Sequence, residues 1–149
     1  MNVLFRTDSS LTIGTGHVMR CLTLANQLKK QVNANVSFIC RDLEGNLINF
    51  IKDNGFRVLV LPKIQINKAD HLAIFQWYEK NWKQDVYETQ FLFKKYNFSI
   101  DLLVVDHYGL DSKWESKIKP FSKKIMVIDD LANRKHVCDF LLDQNWYLN

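Results

Sequence analysis

Hydrophobic positions along this chain follow two alternating rhythms. Short, nearly unbroken apolar runs occur at 2–6 (NVLFR), 35–41 (NVSFICR), 56–61 (FRVLVL), 102–106 (LLVVD) and 124–129 (KIMVID). Runs of this length with both faces apolar read as buried strands of a parallel sheet. Between them the period changes. Val18, Cys21, Leu22, Ala25 and Leu28 recur at helical spacing and predict a helix over 17–30, closed by Lys29 and Lys30, where cations suit the dipole. A short helix over 46–54 should stop at Gly55. Further helices are predicted over 82–96 and over 111–119, the latter with Asp111 as cap. The segment 63–81 reads as irregular, and 140–143 (FLLD) as a short sixth strand. Strands alternating with helices predict an α/β fold, a Rossmann-like, doubly wound parallel sheet in one domain.

That architecture predicts where chemistry should gather. Ligands of open parallel sheets bind beyond the carboxyl ends of the strands. Those ends are followed by 7–17, 41–45, 106–110 and 129–136, which hold three of the four histidines.

Composition narrows the picture. The 149 residues suit one domain able to bury about two-thirds of its unfolded surface without disulfides. Twenty Lys and Arg against sixteen Asp and Glu give +4, scattered without a basic stripe, which argues against a nucleic-acid partner. No apolar stretch approaches the ~18 residues that span a bilayer, and Arg6 and Asp8 interrupt any secretory leader. Three widely spaced cysteines without a CxxC pair suggest neither a zinc site nor a disulfide framework, so the expected location is cytoplasmic.

The loop 14–17 (GTGH) joins the first strand to the first helix. Gly14 and Gly16 allow a tight turn and close approach of a ligand. The helix start offers free N–H groups to an anion or a developing negative charge. His17 reads there as a general base, or as a plain histidine at a helix start. The dinucleotide fingerprint GxGxxG is absent, because position 19 is Met, and the phosphate-binding loop GxxxxGK[ST] is absent too. Arg20 is placed to bind a substrate or a carboxylate, or to lie in solvent, while Cys21 fits the apolar face. Asp8, Ser9 and Ser10 offer polar partners to a ligand, or cap their own loop. Asp106, His107 and Tyr108 form a polar patch at a strand end, in which Asp106 could orient a histidine or make local turn bonds.

Asp129 and Asp130 are adjacent and so point opposite ways, which does not favour a shared metal site. Arg134 and His136 suggest an ordered, hydrogen-bonded loop. Gln84, Glu88 and Asp85 read as a solvated helix face. Phe75, Trp77, Tyr78 and Trp82 read as a sugar-stacking surface or as packing beneath a loop, and His71 as a surface residue.

These motifs together resemble a family. Positions 6–28 (RTDSSLTIGTGHVMRCLTLANQL), 82–89 (WKQDVYET), 104–111 (VVDHYGLD) and 128–145 (IDDLANRKHVCDFLLDQN) resemble the N-terminal half of the PseG-type UDP-sugar hydrolases of pseudaminic acid biosynthesis, relatives of spore-coat polysaccharide proteins. The resemblance implies a GT-B-like, glycosyltransferase-like architecture of two Rossmann-like domains facing across a cleft. It implies hydrolysis of a UDP-linked diacetamido-trideoxy sugar with inversion, without metal or cofactor. Carried onto this sequence, His17 would activate the water. Arg6, Asp8, Arg20, Tyr78 and His107 would line the sugar side of the cleft, and Ser9, Gly14, Gly16, Asp106 and Tyr108, read above from their loops, join them as substrate-binding candidates.

Such proteins continue into a nucleotide-binding domain, which is expected to be missing over residues 1–149. Low activity without a second domain is therefore anticipated. Other readings are a non-catalytic sugar-binding or dimerising module, with Phe140, Trp146, Tyr147 and Leu148 as contact residues, and a glycosyltransferase-like acceptor domain.

Overall fold

A computed structural model of the chain describes residues 1–66, 70 and 72–145. His71, Trp146, Tyr147 and Leu148 lie outside the described residues. Six strands form one sheet: β1 (Asn2–Thr7), β2 (Asn35–Arg41), β3 (Arg57–Leu61), β4 (Ile100–Asp106), β5 (Ser122–Ile128) and β6 (Phe140–Leu142). Their order is β3-β2-β1-β4-β5-β6, and every pairing is parallel. This is a Rossmann-like α/β sheet, with its order reversing between β1 and β4.

Helices cover both faces. Successive strand residues point to opposite sides. Val3, Phe5, Phe38 and Val104 pack on one face with α1 (Gly16–Val32) and α2 (Ile48–Asp53). Leu4, Ile39, Leu103 and Val105 pack on the other with α3 (Ala73–Lys95) and α4 (Ser112–Ile118). The α1 face predicted from spacing is the one buried: Val18, Cys21, Leu22 and Ala25 are all in the core. Asp111 caps α4, its side chain accepting from the Lys113 N–H at 2.9 Å.

The segment 63–81, expected to be irregular, differs from that reading. Helix α3 begins at Ala73 and continues through a non-helical residue, Asn81 (φ −116°, ψ 19°), to Lys95. Ile74 and Tyr78 are one turn apart and both buried, with Phe75, Trp77 and Trp82 packed against the same core. The aromatic cluster is thus the inner face of a helix. Its density hid the helical period, and the break at Asn81 divided the pattern. No helix among the described residues is long and apolar enough to cross a membrane.

Candidate functional site

The order reversal places the carboxyl ends of β1 and β4 side by side, the usual ligand crevice of such sheets. Beyond β1 the chain makes a tight loop. Gly14 (φ +81°) donates its N–H to the Ser10 carbonyl at 2.9 Å and turns the backbone into α1. Gly16 then opens α1 and His17 follows, 6% exposed.

Asp106, at the end of β4, holds His17. The ring Nδ1 lies 2.6 Å from Asp106 Oδ1. Arg20, one turn along α1, grips the same carboxylate with two prongs: Nε to Oδ2 at 2.5 Å and Nη2 to Oδ1 at 2.6 Å. The Cys21 thiol approaches Oδ2 at 3.6 Å. A carboxylate accepts only, so the short contact assigns the hydrogen to His17 Nδ1. The 3.2 Å approach of Arg20 Nη2 to that nitrogen is then a contact between two donors. In the neutral ring this leaves Nε2 as the accepting nitrogen. Burial would raise the Asp106 carboxyl, but hydrogen bonds from Arg20 and His17 prevail and hold it below its ordinary range.

The arrangement closes into a ring. Arg20 Nη1 reaches Asp130 Oδ2 at 3.1 Å, and the Tyr108 hydroxyl donates to Asp130 Oδ1 at 2.5 Å. Tyr108 meets the His17 ring edge to face, with centroids 4.3 Å apart. Burial and the Asp130 carboxylate push the Tyr108 phenol up to about 12, so it remains a donor at neutral pH. His17, Gly16, Arg20, Tyr108, Asp130 and Gln144 line an open depression of about 560 Å³. It offers a fixed imidazole to whatever enters.

The residues expected on the sugar side divide into two groups. Arg6, Asp8, Tyr78 and His107 are fully or nearly fully buried on the α3 side of the sheet, and their polar groups bond to one another. Arg6 Nη1 donates to Asp8 Oδ1 at 2.7 Å, and the Tyr78 hydroxyl donates to Asp8 Oδ2. His107 Nδ1 accepts from the Gly109 N–H at 2.9 Å, so Nε2 carries the hydrogen and donates to Asp8 Oδ2, also at 2.9 Å. Burial, partly offset by Asp8, lowers the His107 pKa and keeps the ring neutral. Burial opposes ionisation of Asp8, yet Arg6 and His107 hold it well below the carboxylate range. The Ser9 hydroxyl accepts from the Leu47 N–H at 2.8 Å, and that of Ser10 from the N–H groups of Thr12 and Ile13. These serines cap loop backbone.

Two further features depart from the sequence reading. Asp85, expected on a solvated face, is 0% exposed. It joins Arg6 Nη2 at 2.8 Å, Arg41 Nη2 at 2.7 Å and the Trp114 indole N–H at 2.8 Å. Arg41, which no motif marked, also reaches Glu88 at 2.6 Å. The one available signal was a charge closing an otherwise apolar strand, because such a charge needs a buried partner. Asp129 and Asp130 do serve separate networks. Asp129 binds Arg134 at 2.9 Å and His136 at 3.1 Å, and the His136 ring reaches Glu115 at 2.7 Å. These bonds order the loop 129–139. Among the described residues no cluster of three His, Cys, Asp or Glu could hold a metal ion.

No protein-family model matches the chain. It is 36% identical over 148 residues to a Campylobacter jejuni UDP-2,4-diacetamido-2,4,6-trideoxy-beta-L-altropyranose hydrolase, covering 99% of this chain and 43% of that protein. It is 28% identical over 130 residues to an uncharacterized protein of Methanocaldococcus jannaschii, covering 87% of this chain and 22% of that protein. The chain thus spans less than half the length of the curated relatives it matches, and it matches one half of the hydrolase. Among solved structures, Acinetobacter baumannii MurG superposes with a TM-score of 0.47 at 13% identity, over 92% of this chain and 44% of MurG.

Proposed function

We propose that this domain forms the water and sugar side of a nucleotide-sugar hydrolase, with His17 as the base. The observation that carries the reading is the pinned imidazole. Nδ1 is fixed by Asp106, Asp106 is fixed by Arg20, and the ring lines the depression at the strand-order reversal. The relative that is 36% identical supplies the substrate class, a UDP-linked diacetamido sugar. In the proposed step, Nε2 takes a proton from water as its oxygen bonds to the anomeric carbon. The bond from that carbon to the diphosphate oxygen breaks, its electron pair leaves with UDP, and the anomeric configuration inverts.

Asp106 acts as a positioning residue, stabilising the imidazolium as it forms. Gly14, Gly16, Arg20 and Tyr108 form the wall nearest the sugar. Arg6, Asp8, Ser9, Tyr78 and His107 shape that wall from beneath. The diphosphate needs cationic or N–H partners as it leaves. Arg20 has its guanidinium committed to Asp106 and Asp130. The nucleotide is therefore held by a second, GT-B-like domain, on the same chain or another.

The test is UDP release from the diacetamido sugar nucleotide. It is measured with residues 1–149 alone and after adding the remaining half of the hydrolase relative as a separate polypeptide. The expected outcome is negligible turnover alone and restored turnover in the mixture. That turnover should fall by at least ~10³-fold in His17→Phe, as when a catalytic base is removed. Ordinary turnover by residues 1–149 alone would refute the need for a second domain. Unchanged turnover in His17→Phe would remove the histidine from the reaction. Saturable sugar binding without turnover in any mixture would favour a non-catalytic binding module.

A further inference from the structure

We propose that His136 is a charged clasp, an imidazolium held between Asp129 and Glu115, and that it positions Asp130 and Tyr108 around His17. The inference concerns the geometry of the site and stands whichever reaction that site performs.

Both ring nitrogens of His136 meet a carboxylate. Nδ1 lies 2.7 Å from Glu115 Oε1, and Nε2 lies 3.1 Å from Asp129 Oδ2. The His136, Glu115 and Asp129 side chains are 6%, 0% and 3% exposed, so water has little access to either contact. A neutral imidazole has one donor and one acceptor, and an ionised carboxylate only accepts. A neutral ring would therefore set a nitrogen lone pair against a carboxylate oxygen. Two hydrogens on the ring satisfy both contacts. The charges then balance, because Arg134 donates to Asp129 Oδ1 at 2.9 Å and supplies the second cation. The other oxygen of Glu115 accepts the Val137 N–H at 2.5 Å. The Cys138 thiol follows in the chain, and beyond it Asp139 pairs with Lys119 and Lys124.

The clasp reaches the site by two short paths. Asp129 is held in the clasp, and its neighbour Asp130 accepts from Arg20 and Tyr108. Fixing the first carboxylate fixes the backbone that carries the second. Arg134 also donates to the carbonyls of His107 at 3.1 Å and Leu110 at 3.0 Å. Those carbonyls flank the turn that carries Tyr108, whose ring meets His17 edge to face. The Lys135 carbonyl accepts from the Ser112 N–H at 3.0 Å, which stitches the same loop to the start of α4. Loss of one ring hydrogen leaves a carboxylate without its donor, so the clasp weakens as pH rises through the titration of His136.

Nuclear magnetic resonance of the isotope-labelled chain from pH ~5 to ~9 tests this, a range that brackets imidazole titration. At the acid end both His136 nitrogens should carry hydrogen, and the Val137 N–H should resist hydrogen exchange. As the ring loses a hydrogen, that protection, corrected for the intrinsic exchange rate, should fall at least ~10-fold, the loss expected of a bond to a charged group. The Tyr108 ring resonances should show a step at the same midpoint. Glu115→Gln is the decisive variant. Its amide nitrogen can donate to a neutral ring while its oxygen still accepts from Val137. It should keep the Val137 protection across the range and lack the Tyr108 step. His136→Gln offers one donor to two carboxylates, so it should lose the protection at every pH and displace the Tyr108 resonances. A His136 ring with one hydrogen throughout the range overturns the proposal. So does protection that falls equally with pH in Glu115→Gln. Tyr108 resonances without the step in the unsubstituted chain would confine these bonds to the loop and refute the positioning role. The titration of the unsubstituted chain and Glu115→Gln decide the matter even where His136→Gln fails to fold.

Discussion

His17 is held by Asp106, 89 residues on in the sequence, which is itself held by Arg20, one turn along the same helix. Asp106 fixes which ring nitrogen carries hydrogen, and Arg20 keeps that carboxylate both oriented and ionised. Changing Asp106 to Asn keeps the shape but offers an amide where two donors need an acceptor. Under the proposed hydrolysis, Asp106→Asn should lower kcat of the reconstituted mixture by roughly 10³-fold with little change in KM, the pattern expected of a misoriented base. A fall confined to KM would instead make Asp106 a binding residue. The histidine and its glycine loop were legible in the sequence, because GTGH follows a strand and opens a helix. Asp106 was legible as a candidate orienter. Asp85 was not, since spacing on one helix cannot show that Arg6 and Arg41 arrive from two strands to bury it.

At the scale of elements, the turn after β4 and the first half of α3 constrain each other. A Cβ at Gly109 would stand 2.9 Å from Cβ, Cγ and Cδ2 of Tyr78. Tyr78 is fully buried and bonded to Asp8, so it has little room to yield. Gly109→Ala should therefore destabilise the fold by about 1–3 kcal/mol, the usual range for overpacking. Urea denaturation will read this as a lower midpoint at unchanged slope. An unaltered midpoint would mean that α3 shifts freely against the sheet. Strand-length elements were readable because both faces of a parallel sheet are apolar and the runs are nearly unbroken. The first half of α3 was not, because aromatic residues at 75, 77, 78 and 82 spread over one broad inner face and blur the helical period, and the backbone breaks at Asn81.

For the molecule as a whole, the buried networks set an acid limit. The pKa of His107 is lowered from its ordinary 6.5, chiefly by burial. Its neutral form is favoured by folding, so its contribution to stability is present above 6.5 and declines as pH falls below it. Asp8, Asp85 and Asp106 are also lowered from the ordinary 3.8, so their contributions are lost only as pH falls below that value. Unfolding free energy measured in urea should therefore decline in two stages, one beginning near 6.5 and one near 3.8. Replacing His107 with Gln should flatten the first stage and leave the second. Persistence of the first stage in that variant would assign it to another group.

The sequence by itself determined the parallel α/β sheet, the first helix and its buried face, the Asp111 cap and the loop that carries His17. Those follow from local periodicity and from turn chemistry, which neighbouring residues settle among themselves. Only the tertiary structure decided that His17, Arg20, Asp106, Tyr108 and Asp130 form one ring while Arg6, Asp8, Tyr78 and His107 form another. The reason is the alternation of side chains across a sheet. Adjacent residues such as Asp106 and His107 point to opposite faces, and which distant partner waits on each face depends on the order in which the strands assemble.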